Sequence, residues 1–160
     1  MIDMELVGVR IEAPANVPCV LLRELADGER ILPIFIGPAE AQAIVLALDG
    51  VVTPRPMTHD LLVNLLRDLG VALEAVVITD LQDKTFFAEL HLRRDGVPTV
   101  VSCRPSDAIA VAARLGTPIR AMAAVLDAAG VKPPDPVAGE EEVVEEFREF
   151  IENINPEDFL

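Results

Sequence analysis

The sequence predicts an α+β domain built from two βββαα halves, followed by a separate amphipathic C-terminal helix. Three observations carry this expectation. Short runs rich in Val, Ile and Leu come in threes, and each triplet is followed by two stretches whose apolar residues fall at helical spacing. Pieces of the first half also recur in the second at near-constant offsets, which predicts an internal duplication.

Met4 to Ile11, Val17 to Glu24 and Arg30 to Ile36 are the first three strands, separated by Pro14-Ala15-Asn16 and Ala26-Asp27-Gly28. Gly37-Pro38-Ala39-Glu40 opens a helix that runs to Leu48 and stops at Asp49-Gly50. Arg55-Pro56 disfavours helix, so Thr58 to Leu69 starts afresh and closes at Gly70. Ala72 to Thr79, Thr85 to Arg93 and Val97 to Cys103 are the next three strands, with a hairpin turn at Arg94-Asp95-Gly96. Two helices follow, Ser106 to Leu115 and about Arg120 to Ala129.

Pro38-Ala39-Glu40-Ala41 matches Pro105-Ser106-Asp107-Ala108 at an offset of 67. Leu61-Leu62, Leu65-Leu66 and Gly70-Val71 match Ala121-Met122, Val125-Leu126 and Gly130-Val131 at an offset of 60. Residues 1–132 thus form one body, and Pro133-Pro134-Asp135-Pro136 begins a stiff linker over 133–139. Within 140–160, Val143, Val144, Phe147, Phe150, Ile151 and Ile154 make one helical stripe with glutamates opposite.

At 160 residues and mean hydropathy +0.39, the chain can bury one core but not two. No apolar run approaches the roughly 20 residues that cross a bilayer, and the first residues lack a signal peptide's basic and apolar regions. A cytoplasmic protein with no membrane partner is expected. Cys19 and Cys103 sit in strand-like segments and are expected as buried free thiols. The net charge is −14, of which nine acids and one base within 140–160 supply −8, leaving −6 on residues 1–139. An acidic body with no Trp or Tyr disfavours a phosphate-backbone footprint or a stacking platform.

The residues with chemical promise gather at two helix starts, Arg55-Pro56-Met57-Thr58-His59-Asp60-Leu61 and Arg104-Pro105-Ser106-Asp107-Ala108. Each offers a guanidinium, a hydroxyl and a carboxylate at the positive end of a helix. Arg55 and Arg104 could clamp a phosphate, Asp60 and Asp107 could hold Mg²⁺ or Mn²⁺ through oxygen, and His59 could act as general base or acid. No organic cofactor is expected. Plainer roles compete with these. Thr58, Ser106 and Asp107 could cap their helices, Glu40 could complement the dipole of its own helix, and the arginines could form structural ion pairs. His59 lies outside the apolar repeat of its helix, which points to a role beyond packing, whereas His91, between Leu90 and Leu92 in a strand, is expected to be structural or solvated.

Leu32-Pro33-Ile34-Phe35-Ile36-Gly37-Pro38-Ala39-Glu40-Ala41, the two Arg-Pro segments and Thr85-Phe86-Phe87-Ala88 together resemble the bifunctional nuclease family. The resemblance runs in order through about residues 4 to 131, and the tail around Asn155-Pro156-Glu157-Asp158-Phe159 is similar to that of actinobacterial members. It implies hydrolysis of RNA and DNA without sequence preference, metal assistance, and site positions at Glu40, Arg55, Thr58, His59, Asp60, Arg104, Ser106 and Asp107. One departure is Ser102, where the family often has an acid, which removes one candidate metal-binding carboxylate. Two other functions are consistent with the residues: a non-catalytic interaction module using its acidic C-terminal helix, and a binder of small phosphate ligands. A homo-oligomer, a dimer first, is expected, with a protein partner through the C-terminal helix as a further expectation.

Overall fold

The computed structural model describes residues 1–26 and 30–132. The linker 133–139 and the amphipathic segment 140–160 lie outside the described residues. Eleven elements follow in order: β1 (Ile2–Glu12), β2 (Val17–Glu24), β3 (Ile31–Phe35), α1 (Pro38–Leu48), α2 (Thr58–Asp68), β4 (Ala72–Gln82), β5 (Thr85–Arg94), β6 (Val97–Cys103), α3 (Pro105–Leu115), β7 (Ile119–Ala121) and α4 (Ala123–Ala129). The expected α+β class and the recurring order of elements are both present.

The strands form one seven-stranded sheet in the order β3-β2-β1-β7-β4-β5-β6. Each half contributes an antiparallel meander, β1-β2-β3 and β4-β5-β6. The short strand β7 joins them, antiparallel to β1 and parallel to β4. This corrects the helix expected over about 120–129: residues 119–121 are strand, and helix begins only at Ala123. The physical reason is that β1 and β4 each present an inner edge of unpaired N–H and C=O groups. Three residues bridge the two edges, pairing with Ile2 to Met4 and with Val76 to Ile78, a non-local demand that outweighs the helical spacing of the local sequence.

The helices pack against a core that includes Leu22, Leu32, Val76, Ile78, Ile44, Ile109 and Leu126, all within 1% of complete burial. Burying a side chain of this size stabilises the fold by roughly 1.5–3 kcal/mol. The strand residues alternating with that core carry cross-strand ion pairs, Arg23 with Glu5 and Arg120 with Asp3. One sheet face is packed by the helices; the other mixes these ion pairs with apolar side chains, among them exposed Phe35, Phe87 and Val100. Cys19 is fully buried and Cys103 half-buried; both are free thiols, and burial pushes each up to about 11. His91 is half-buried and bonded to Glu89. Among the described residues no helix is long and apolar enough to cross a membrane.

Helix α2 departs from the amphipathic rule. Its leucines 61, 62, 65 and 69 are 41–56% exposed, while its one buried residue is His59, at 7%. His59 and Asp60 face the protein beside partly buried Val63 and Leu66, while Leu61, Leu62 and Leu65 face out.

Candidate functional site

Helices α1, α2 and α3 each begin after an extended residue, Gly37, Met57 and Arg104 respectively, and each carries an acid at its third helical position: Glu40, Asp60 and Asp107. A carboxylate there faces the unsatisfied amides and positive end of its own helix. In α2 the Met57 amide donates to Asp60 Oδ2 at 2.9 Å. In α1, Glu40 folds back over Gly37, where a Cβ would collide with its carboxylate. Thr58 and Ser106 do not cap: they fall at the first and second helical positions, and neither α2 nor α3 has a cap bond from the residue preceding it. The same holds for Asp107, whose carboxylate is spent on side chains instead.

These first turns converge on a cleft of about 270 Å³. Glu40, Thr58, His59, Arg104 and Asp107 line it, joined by Met57, Gln42 and Arg114 among others. His59 Nε2 lies 2.9 Å from Asp107 Oδ1. Arg104 grips the same carboxylate with two donors, Nε to Oδ2 at 2.7 Å and Nη2 to Oδ1 at 3.0 Å, and its Nη2 also reaches Glu40 Oε1 at 2.9 Å. One carboxylate from α3 thus ties together α2, α3 and, through Arg104, α1.

Burial alone would raise the Asp107 pKa, but the bonds from Arg104 and His59 outweigh it and hold the carboxyl below its ordinary value. The ionised carboxylate only accepts, so it places the imidazole proton on Nε2 and leaves a lone pair on Nδ1. Among the described residues no fully buried side-chain nitrogen lacks a partner, and the His59 ring bonds there only through Nε2, so Nδ1 is not sealed away among them, and His59 itself lines the cleft.

Asp60 stands behind this cluster. Its Oδ1 accepts from Arg114 Nε at 2.5 Å, and Arg114 Nη1 donates to the carbonyls of Ala43 and Ala110, each at 2.9 Å. Burial opposes ionisation of Asp60 too, and Arg114 with the Met57 amide overcomes it, lowering the pKa. Arg114 was not singled out by sequence reasoning. A signal was present: apart from Asp107 it is the one charged residue of α3, two turns further along and on the same face.

Three expected site residues do not line the cleft: Asp60, which stands behind it bonded to Arg114, and two others. Arg55 is exposed and does not line the cleft, and Ser106 is buried at 7% exposure in the packed side of α3. A hard divalent cation needs several oxygens free to close on it. Asp60 spends its oxygens on Arg114 and Met57, and Asp107 spends both on Arg104 and His59. Among the described residues no three His, Cys, Asp or Glu side chains form a metal-holding group. As folded, this donor set does not fit the Mg²⁺ or Mn²⁺ expected at Asp60 and Asp107.

Comparison with known proteins agrees with the sequence resemblance. The bifunctional nuclease domain matches residues 20–134. A protein of Mycobacterium tuberculosis strain H37Rv, itself uncharacterized, is 47% identical over 163 residues, covering 98% of this chain and 97% of its own length. Bifunctional nuclease 2 of Oryza sativa subsp. japonica is 26% identical over 132 residues, 81% of this chain but 41% of the rice protein. A bifunctional nuclease of Oryza minuta is 24% identical over 153 residues, 94% of this chain and 46% of that protein.

Proposed function

Because this chain belongs to the bifunctional nuclease domain family, we propose that it hydrolyses phosphodiester bonds of RNA and DNA at the cleft between α1, α2 and α3. The observation that carries the reading is the His59–Asp107 pair at 2.9 Å with Arg104 beside it. His59 Nδ1 takes the proton of an attacking water, while Asp107 holds the ring in the required tautomer and stabilises the imidazolium that results. Arg104, 65% exposed at its side chain, has its Nη1 clear of the bonds to Asp107 and Glu40 and offers it to the phosphate as negative charge develops. The protonated His59 or a second water returns the proton to the leaving oxygen. Glu40 and Arg114 position the two functional helices, and Thr58 presents a hydroxyl at the cleft surface.

The purified full chain is to be assayed on single-stranded RNA and DNA, with and without a chelator, beside His59→Ala and Asp107→Ala. General acid–base catalysis contributes about 10²–10⁴-fold, so each substitution is expected to lower kcat by at least about 100-fold. Activity that survives both unchanged belongs to a contaminant and removes the proposal. Loss on chelation with restoration by Mg²⁺ or Mn²⁺ would mean that the carboxylates rearrange around a cation when substrate binds.

A further inference from the structure

Nine of the ten arginines in residues 1–139 are already ion-paired to acids of the same chain. Arg55 is the tenth; it is exposed and outside the lining of the cleft. At the cleft itself, Arg114 is consumed by Asp60 and two carbonyls and is 9% exposed, whereas Arg104, though paired with Asp107 and Glu40 through Nε and Nη2, is 65% exposed and keeps Nη1 clear of those bonds, which leaves it as the cleft cation able to meet a ligand. A nucleic acid held along its backbone needs a row of such cations, one for each phosphate neutralised.

The rest of the cleft points the same way. Its lining includes Ala39, Ala43, Leu46 and Met57 and, among the described residues, no Phe, Tyr or Trp; its one ring is the His59 imidazole, held by Asp107, so successive bases have no row of stacking platforms. Its volume of about 270 Å³ falls just below the range of about 300 to 1,000 Å³ that ligand pockets span. The body around it, residues 1–132, carries 17 acids and 12 bases, a net −5, which repels a long polyanion.

From these observations, and resting on the hydrolytic reading above, we infer that the site takes short single-stranded substrates, a dinucleotide or a strand end engaged through one phosphodiester. Polymer length adds little binding, because the cleft lining offers phosphates one accessible guanidinium, that of Arg104, and Arg55 lies outside that lining. The consequence is quantitative. For single strands the logarithm of affinity falls with the logarithm of salt at about −0.7 per phosphate neutralised. One phosphate gives a loss of roughly two- to threefold between about 50 and 200 mM salt, whereas six give a loss of more than about 100-fold.

The full-length protein is to be tested with a dinucleotide and a thirty-nucleotide strand of one base, at both salt concentrations. Two readouts are taken: kcat/KM for each scissile bond, and dissociation constants from fluorescence anisotropy of labelled strands. Values for the two lengths that agree within about threefold, with the shallow salt response, support the inference. A tenfold preference for the long strand, a steep salt response, or binding of neither overturns it. Hydrolysis failing at both lengths while binding stays length-independent removes the hydrolytic reading alone and leaves this inference standing.

Discussion

Arg114 shows how much one buried side chain can organise. It donates to a carboxylate on α2, a carbonyl on α1 and a carbonyl on its own helix, and so joins the three helices that form the cleft. Replacing it with Met keeps most of the volume and removes every donor. Breaking a fully buried pair costs about 3–5 kcal/mol. Asp60 retains a third of its side chain in water, so the expected loss is about 2 kcal/mol, read as a lower urea midpoint at unchanged slope. A midpoint within error of the parent would mean that Arg114 does not hold α2 in place. His59 is the second decisive residue. Its position outside the apolar repeat of α2 pointed to function, and the structure gives that polarity a partner, Asp107, that is 48 positions away in the chain.

At the scale of elements, α2 is attached differently from its neighbours. Helix α3 buries a continuous run from Ala108 to Ala112, whereas α2 buries only His59 and leaves four leucines in solvent. Local periodicity identified both helices and their spans, because 3.6-residue spacing is a property of the segment itself. It could not say which side of α2 faces in. An apolar stripe normally decides that; here the His59–Asp107 and Asp60–Arg114 bonds decide it, and both depend on residues from another helix. Leu65→Gln is therefore expected to change stability by no more than about 0.5 kcal/mol. Ile109→Ala, at a fully buried position, should cost about 2–5 kcal/mol. Equal costs in urea unfolding would show that the α2 leucines are covered in solution.

Across the whole molecule, carboxylates in both halves have folded-state pKa values below their ordinary range. Arg30 lowers Glu24 and Arg93 lowers Glu74 by direct hydrogen bonds, while Asp60 and Asp107 are lowered despite burial by Arg114 and by Arg104 with His59. Groups depressed on folding stabilise fully above their unfolded values, near pH 4, and that stabilisation is lost as pH falls through the lower folded values. Urea midpoints are expected to hold from neutral pH to about 5 and then fall steeply toward pH 3. Asp107→Asn should start lower and fall less steeply, and an unchanged acid limb in that variant would sink the assignment.

The sequence alone determined what is local or repeated: eight of the elements near their observed bounds, the α+β class, the recurrence of the halves, and the helix starts that carry Glu40, His59, Arg104 and Asp107, because spacing, turn chemistry and motif order reside in contiguous segments. Tertiary structure decided the seven-strand order, the strand β7 within an expected helix, the inward turn of His59, the meeting of Glu40, His59, Arg104 and Asp107 in one cleft, the recruitment of Arg114 and the exclusion of Asp60, Arg55 and Ser106 from the cleft lining. Each of these is set by partners far apart in the chain. Backbone edges must be paired and buried charges must be matched wherever the fold places them, and those demands override the local pattern.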